Sequence, residues 1–169
     1  MKGCMAIDRQ KTETVHWHAV FTASRAEKKV RDRLEELGVE CFLPVQTVLR
    51  QWTYRKSRVV VPVIAGLVFV RVGRQEQVKV LQTKGVVAFL RLKGEAGAAV
   101  IPDKQMEDFR FLLDFSEEAV EMTNENIKAG DLVRVVKGSL RGMEGELIRH
   151  KGVTKVLVRI DMLGCAMVN

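Results

Sequence analysis

The sequence predicts an α+β fold: an N-terminal α/β sandwich, with an antiparallel-containing sheet flanked by helices, followed by a small C-terminal β-barrel. Strand and helix periods interleave from Val15 to Phe115, an acidic stretch poor in large apolar groups fills 116–126, and short strands separated by glycines follow. With 169 residues and 47% apolar content, the chain can bury one sizeable core and a smaller second one. The expected divisions are a leader over 1–14, a first unit over 15–115, a linker over 116–126 and a second unit over 127–169.

Val15 to Phe21 alternates, with Trp17, Ala19 and Phe21 on one face, which is strand spacing. A helix is predicted next. Ser24 and Glu27 form an S-x-x-E capping box, Ala26, Val30, Leu34 and Leu37 recur at helical spacing, and Gly38 is placed to end the helix in a left-handed turn. Strand Val39–Leu43 is stopped by Pro44. Residues 45–61 read as a basic hairpin with arms Val45–Leu49 and Arg58–Val61 and a protruding tip. The run Val63–Val72, apolar on both faces, suits a central strand. A short helix (Gln75–Gln82), a strand (Val86–Leu92), a Gly-rich loop (Gly94–Gly97) and a helix opened by Pro102-Asp103 and lined by Met106, Phe109 and Leu113 complete the unit. Beyond the linker, Asp131–Lys137, Gly145–His150, Lys155–Asp161 and Cys165–Asn169 read as strands, which a small barrel closes most simply.

Charge separates the two units. Residues 1–115 hold 20 Lys+Arg against 13 Asp+Glu, whereas 116–169 hold 8 of each. Between Glu40 and Glu76 stand Arg50, Arg55, Lys56, Arg58, Arg71 and Arg74 with no acidic residue among them, a bias that favours a polyanionic neighbour. On the first helix Arg25, Lys29 and Arg33 form an i, i+4, i+8 line suited to tracking a phosphate backbone, and Lys84 is a further candidate cation. Within the hairpin, Trp52 and Tyr54 interleave with Arg50, Arg55, Lys56 and Arg58, so bases can stack while cations hold the backbone. The alternative for the helix stripe is a solvated face paired with Asp32, Glu35 and Glu36.

Other chemistries find little support. Cys4, Cys41 and Cys165 are far apart and lack C-x-x-C spacing, so reduced thiols are expected and neither a disulfide framework nor a zinc site. His16 and His18 share a strand face without a third ligand nearby, and the glycines at 138, 142 and 145 precede no helix start. No enzyme, metal or cofactor is expected. Neither end carries an apolar run long enough for a membrane span or signal-peptide core, so a cytoplasmic monomer without membrane contact is expected.

Gly130-Asp131-Leu132-Val133-Arg134-Val135, followed by Gly138, Gly142 and Gly145, resembles the KOW motif of NusG-family proteins and some ribosomal proteins. The first unit agrees in four places. Trp17 opens strand one, Pro62–Val70 resembles the family's P-L-F-P-G-Y-V-F-V segment, Gly85–Leu90 its G-V-x-x-F-V segment, and Ile101-Pro102-Asp103 its I-P-D helix start. The chain thus resembles the NusG/RfaH elongation factors, most of all the UpxY-type specialised antiterminators. The resemblance implies an N-terminal (NGN) domain that docks on the clamp helices of the largest RNA polymerase subunit beside upstream or non-template DNA or nascent RNA. It also implies an SH3-like KOW barrel that takes a small-subunit ribosomal protein or Rho.

Position by position, the resemblance puts the polymerase-binding pocket at Phe21, Ile64, Ala65, Leu67, Phe69, Leu92 and Met106, on an apolar face expected to lie open to solvent. The chain departs from its relatives at Ala65 and Leu67, where the family has proline and tyrosine, so this edge is smaller and aliphatic. Some specialised relatives fold the second domain as a helical hairpin. Here the β-branched alternation of Val133–Val136 and Val156–Ile160 predicts a barrel. The family's short closing strand is missing after Asn169, so the last strand is expected to keep an unpaired edge that could seat self-association. A ribosome-associated KOW protein binding folded RNA is the alternative function, and a structural adaptor without nucleic-acid contact a third.

Overall fold

The computed structural model describes residues 13–160 and 163–169. Most of the expected leader, Cys4 included, lies outside these. The element order is β1 (His16–Thr22), α1 (Glu27–Glu36), β2 (Glu40–Phe42), β3 (Val45–Trp52), β4 (Arg55–Pro62), β5 (Leu67–Val72), α2 (Glu76–Leu81), β6 (Val86–Phe89) and α3 (Asp103–Phe115). Five strands follow: β7 (Glu121–Thr123), β8 (Asp131–Arg134), β9 (Glu144–His150), β10 (Val153–Ile160) and β11 (Gly164–Val168).

The first sheet runs β2-β5-β1-β6 with antiparallel pairs throughout, so β5 and β1 are the central strands. Both faces of β5 are covered, which is why its run Leu67-Val68-Phe69-Val70 is apolar without alternation. One face carries α1 and α2, packing Val30, Leu34 and Val80 against Val20, Val68, Val70 and Val72. On the other, α3 buries Met106, Phe109 and Leu112 against Trp17, Ala19, Leu67 and Phe69. Burial of side chains this size stabilises by about 1.5–3 kcal/mol each.

Local expectations fail in instructive places. The Ser24/Glu27 capping box does not form: α1 starts at Glu27 without a side-chain cap, and Arg25 takes φ 58°. Glu27 is buried instead, accepting the Gly66 N–H at 2.8 Å, and so it fixes the turn that feeds β5. That turn occupies residues 63–66, where the central strand was expected to have begun already. Gly38 does end α1 with φ 74°.

The C-terminal strands form one antiparallel sheet in the order β7-β11-β10-β9-β8. Among the described residues no ladder joins β7 to β8 to close a barrel. The expectation of an unpaired last strand is overturned: β11 lies between β10 and β7, and β7 comes from the stretch read as linker. Gly164 makes this possible, because a Cβ there would stand 2.1 Å from the Thr123 carbonyl oxygen and its φ is 100°. The sheet has two apolar faces. Ile148, Leu157, Cys165 and Met167 form a small core on one, sealed at its rim by Arg159, which donates to Glu146 at 2.6 Å and to the Ile127 carbonyl at 3.0 Å. Val158, Ile160, Ala166 and Val168 on the other face join Met143 and Val120 in the α3 core, so a single apolar cluster spans both sheets.

Candidate functional site

The seven apolar positions do not form one open pocket. Phe21, Ile64, Ala65 and Leu67 line a hollow of about 370 Å³ whose far wall is Asn124, just after β7, and Leu163 and Gly164 at the start of β11. Phe21 and Leu92 are 42% and 41% exposed, and Ala65 is exposed. Phe69 and Met106, expected on an open face, are instead covered at 0% and 1% exposure, and Leu67 at the floor of the hollow is 2% exposed. The cause is α3 together with the five-stranded sheet. Phe69, Phe109 and Phe42 form an aromatic triad with ring centroids 6.0–6.4 Å apart. Arg110 closes its rim, its guanidinium 4.6 Å from the Phe42 ring centroid and 5.1 Å from that of Trp17.

The basic positions also divide. Arg33 donates to the Lys84 backbone carbonyl at 2.7 Å and thus braces the turn before β6. Gly85 next to them admits no side chain, since a Cβ would lie 2.7 Å from Val30 Cγ2. Arg25 and Lys29 are exposed, although Arg25 precedes the helix and so does not continue its line. The hairpin is longer and tighter than read. Its arms pair in register from Val45↔Pro62 to Trp52↔Arg55, leaving Thr53 and Tyr54 as the turn. Tyr54 is 98% exposed and Trp52 56%, and among the described residues Arg50, Arg55, Lys56 and Arg58 make no ion pair. Unneutralised cations flanking accessible rings are what single-stranded nucleic acid requires.

The remaining titratable groups play structural parts. His18 is buried and its Nδ1–H donates to the Ala99 carbonyl at 2.8 Å, which leaves Nε2 unprotonated in the neutral ring; burial lowers its pKa below the ordinary 6.5, the Ala99 bond opposing in part. Burial, helped by Glu35, pushes the Cys41 thiol up to about 11, so it stays protonated near neutrality. Among the described residues no group of three metal-ligating side chains exists.

Residues 15–110 match the family model described as transcription termination factor nusG. The chain belongs to the NusG family. A structure of domain interaction in Thermotoga maritima NusG superposes on it with a TM-score of 0.50 at 20% identity, covering 92% of this chain and 94% of that one. The MjSpt4:Spt5 complex is also similar, at TM-scores of 0.32 (conformation B, 17% identity, 90% of each chain) and 0.30 (conformation A, 16% identity, 90% of this chain and 98% of that one). Comparison with curated proteins returns no match. The mixed α/β fold with antiparallel sheets is thus that of NusG, and the family is one of transcription factors. No helix among the described residues of this NusG-family chain is long and apolar enough to cross a membrane.

Proposed function

We propose that the chain is a transcription elongation factor that docks on the clamp helices of RNA polymerase and suppresses pausing and termination. The observation that carries this reading is the apolar hollow lined by Phe21, Ile64, Ala65 and Leu67, whose floor residue Leu67 belongs to the same packed cluster as Phe69 and Met106. A pair of helices presents ridges of apolar side chains, and a preformed apolar face receives them with little reordering. The hairpin tip, with Arg25, Lys29, Arg33 and Lys84 as further cations, contacts upstream or non-template DNA or nascent RNA. These contacts are indifferent to base sequence and therefore suit a factor that moves with the enzyme.

The five-stranded sheet serves as the KOW unit and takes a second protein, a small-subunit ribosomal protein or Rho; its balanced charge favours protein over RNA. Cytoplasmic location follows from this role. The departures at Ala65 and Leu67 support an operon-restricted antiterminator of the UpxY type over a housekeeping factor. A ribosome-bound RNA-binding protein leaves the match over 15–110 without a purpose.

Pull-down with core polymerase tests the docking. Phe69 is fully buried, so a charge there unfolds the chain, and the test falls on exposed positions. Phe21→Asp and Ala65→Asp should abolish co-purification while the circular dichroism spectrum is unchanged, whereas undiminished binding by both rejects the site.

A further inference from the structure

The turn at residues 63–66 between β4 and β5 carries Ile64 and Ala65 into the hollow. No ladder joins β4 to β5, so the turn hangs between two sheets and other contacts must set its shape. At its start the Val63 N–H donates to the Pro44 carbonyl at 2.8 Å. At its end Gly66 is held twice: its carbonyl accepts the Thr22 N–H at 2.9 Å, and its own N–H donates to Glu27 Oε1 at 2.8 Å. The φ of 71° at Gly66 is one that glycine takes readily. Only Ile64 and Ala65 therefore stand between the bonded amides of Val63 and Gly66. The first turn of α1 grips the same segment again, because Lys28 Nζ, next to Glu27, donates to the Val60 carbonyl at 3.2 Å on the approach.

We propose that Glu27 is a positioning residue for polymerase binding: it fixes the 63–66 turn in the shape that forms the hollow, without touching the partner. This rests on the docking reading given above. Glu27 is 8% exposed and, among the described residues, makes no ion pair, so its hydrogen bond to the turn is what offsets the burial of its charge. A carboxylate accepting from an amide binds it about twice as strongly as a neutral acceptor does. Arg25 takes φ 58° just before α1, a conformation that L side chains rarely adopt, and the helix that follows presents Glu27 to the interior. With the bond intact the turn is ready for a helix pair. Without it the turn samples other shapes and only the competent fraction binds, which slows association while leaving dissociation as it was. A residue in contact with the partner would instead change chiefly the dissociation rate.

Hydrogen–deuterium exchange on the full chain tests the restraint without polymerase, and rates of association with and dissociation from immobilised core polymerase test its consequence. Glu27→Ala should raise exchange across residues 63–66 by roughly tenfold, the effect of losing a hydrogen bond to a charged group. It should also slow association by roughly three- to tenfold at an unchanged dissociation rate. Glu27→Gln, which keeps an acceptor oxygen at that place, should recover both. Lys28→Met removes the grip on Val60 from the exposed side and should raise exchange in the same segment by a smaller factor; it carries the test if Glu27→Ala does not fold. Wild-type exchange in the folded variant, wild-type association in Glu27→Ala, or a loss that Glu27→Gln does not recover overturns the proposal. Failure of the unsubstituted chain to bind polymerase overturns the docking reading itself, and the proposal with it.

Discussion

His18 shows how a residue placed for packing acquires a pH dependence. Its neutral ring sits edge-on to Phe89, with centroids 5.8 Å apart, and its folded pKa lies below 6.5 because burial disfavours the cation. The unfolded chain therefore binds a proton that the folded chain refuses. The His18 contribution to stability is constant above about pH 6.5 and is lost as pH falls from there through the lower folded value. Thermal melts should show the midpoint falling from pH 7 to about pH 5, and His18→Gln should flatten that fall; an equal slope in the variant assigns the effect elsewhere. The sequence showed His16 and His18 on one strand face but not their difference in burial, because Ala99, whose carbonyl accepts the His18 Nδ1–H bond, lies 81 positions away. Glu27 was misread for the same reason. Its i−3 serine suggested a local cap, and the distant Gly66 N–H captured its carboxylate.

Among the elements, the hairpin was the most legible in composition and the least in geometry. Its basic and aromatic content was plain, yet Gln51-Trp52-Thr53-Tyr54 lacks the Asn-Gly or Gly signal of a two-residue turn, so a long loop was read where the arms pair almost to the end. The tighter turn thrusts Tyr54 fully into solvent. Arg55→Glu combined with Lys56→Glu should weaken single-stranded DNA binding and lower the slope of log K against log salt by about 1.4, or 0.7 for each lost phosphate contact. Trp52→Ala should cost about 1–3 kcal/mol if a base stacks on it. Both variants should keep polymerase binding, measured by pull-down. Helices α1 and α3 were read from their apolar periods; on α3 Phe109 faces inward as read, whereas Leu112 and not Leu113 is the buried position and Met106, placed on an open face, is covered. Strand β7 was missed, since Glu121-Met122-Thr123 is short and charged and is stabilised by what it pairs with: β11 beside it and Lys155, which reaches Glu121 at 2.7 Å.

For the whole molecule, the decisive relation is between the two sheets, and no local pattern announces it. The strands Lys155–Asp161 and Cys165–Asn169 read as parts of a separate small unit, yet Val158, Ile160, Ala166 and Val168 share one apolar cluster with α3 and the first sheet. Periodicity tells which side of a strand is apolar, not which neighbour will cover it. Burial of Val158 in the shared cluster contributes about 1.5–3 kcal/mol. Val158→Ala should therefore weaken the hold of the second sheet on α3, seen as a larger radius of gyration in solution scattering and stronger retention on core polymerase. Unchanged dimensions and retention, with folding intact by circular dichroism, would mean that the contact does not restrain the face. The weaving of Glu121–Thr123 into the second sheet leaves only residues 116–120 as a leash after α3. Fully extended, that leash spans roughly 17 Å. If the apolar hollow is the polymerase seat proposed above, a module freed on so short a cord stays at high local concentration over that seat, and its second partner has to stand within the same reach.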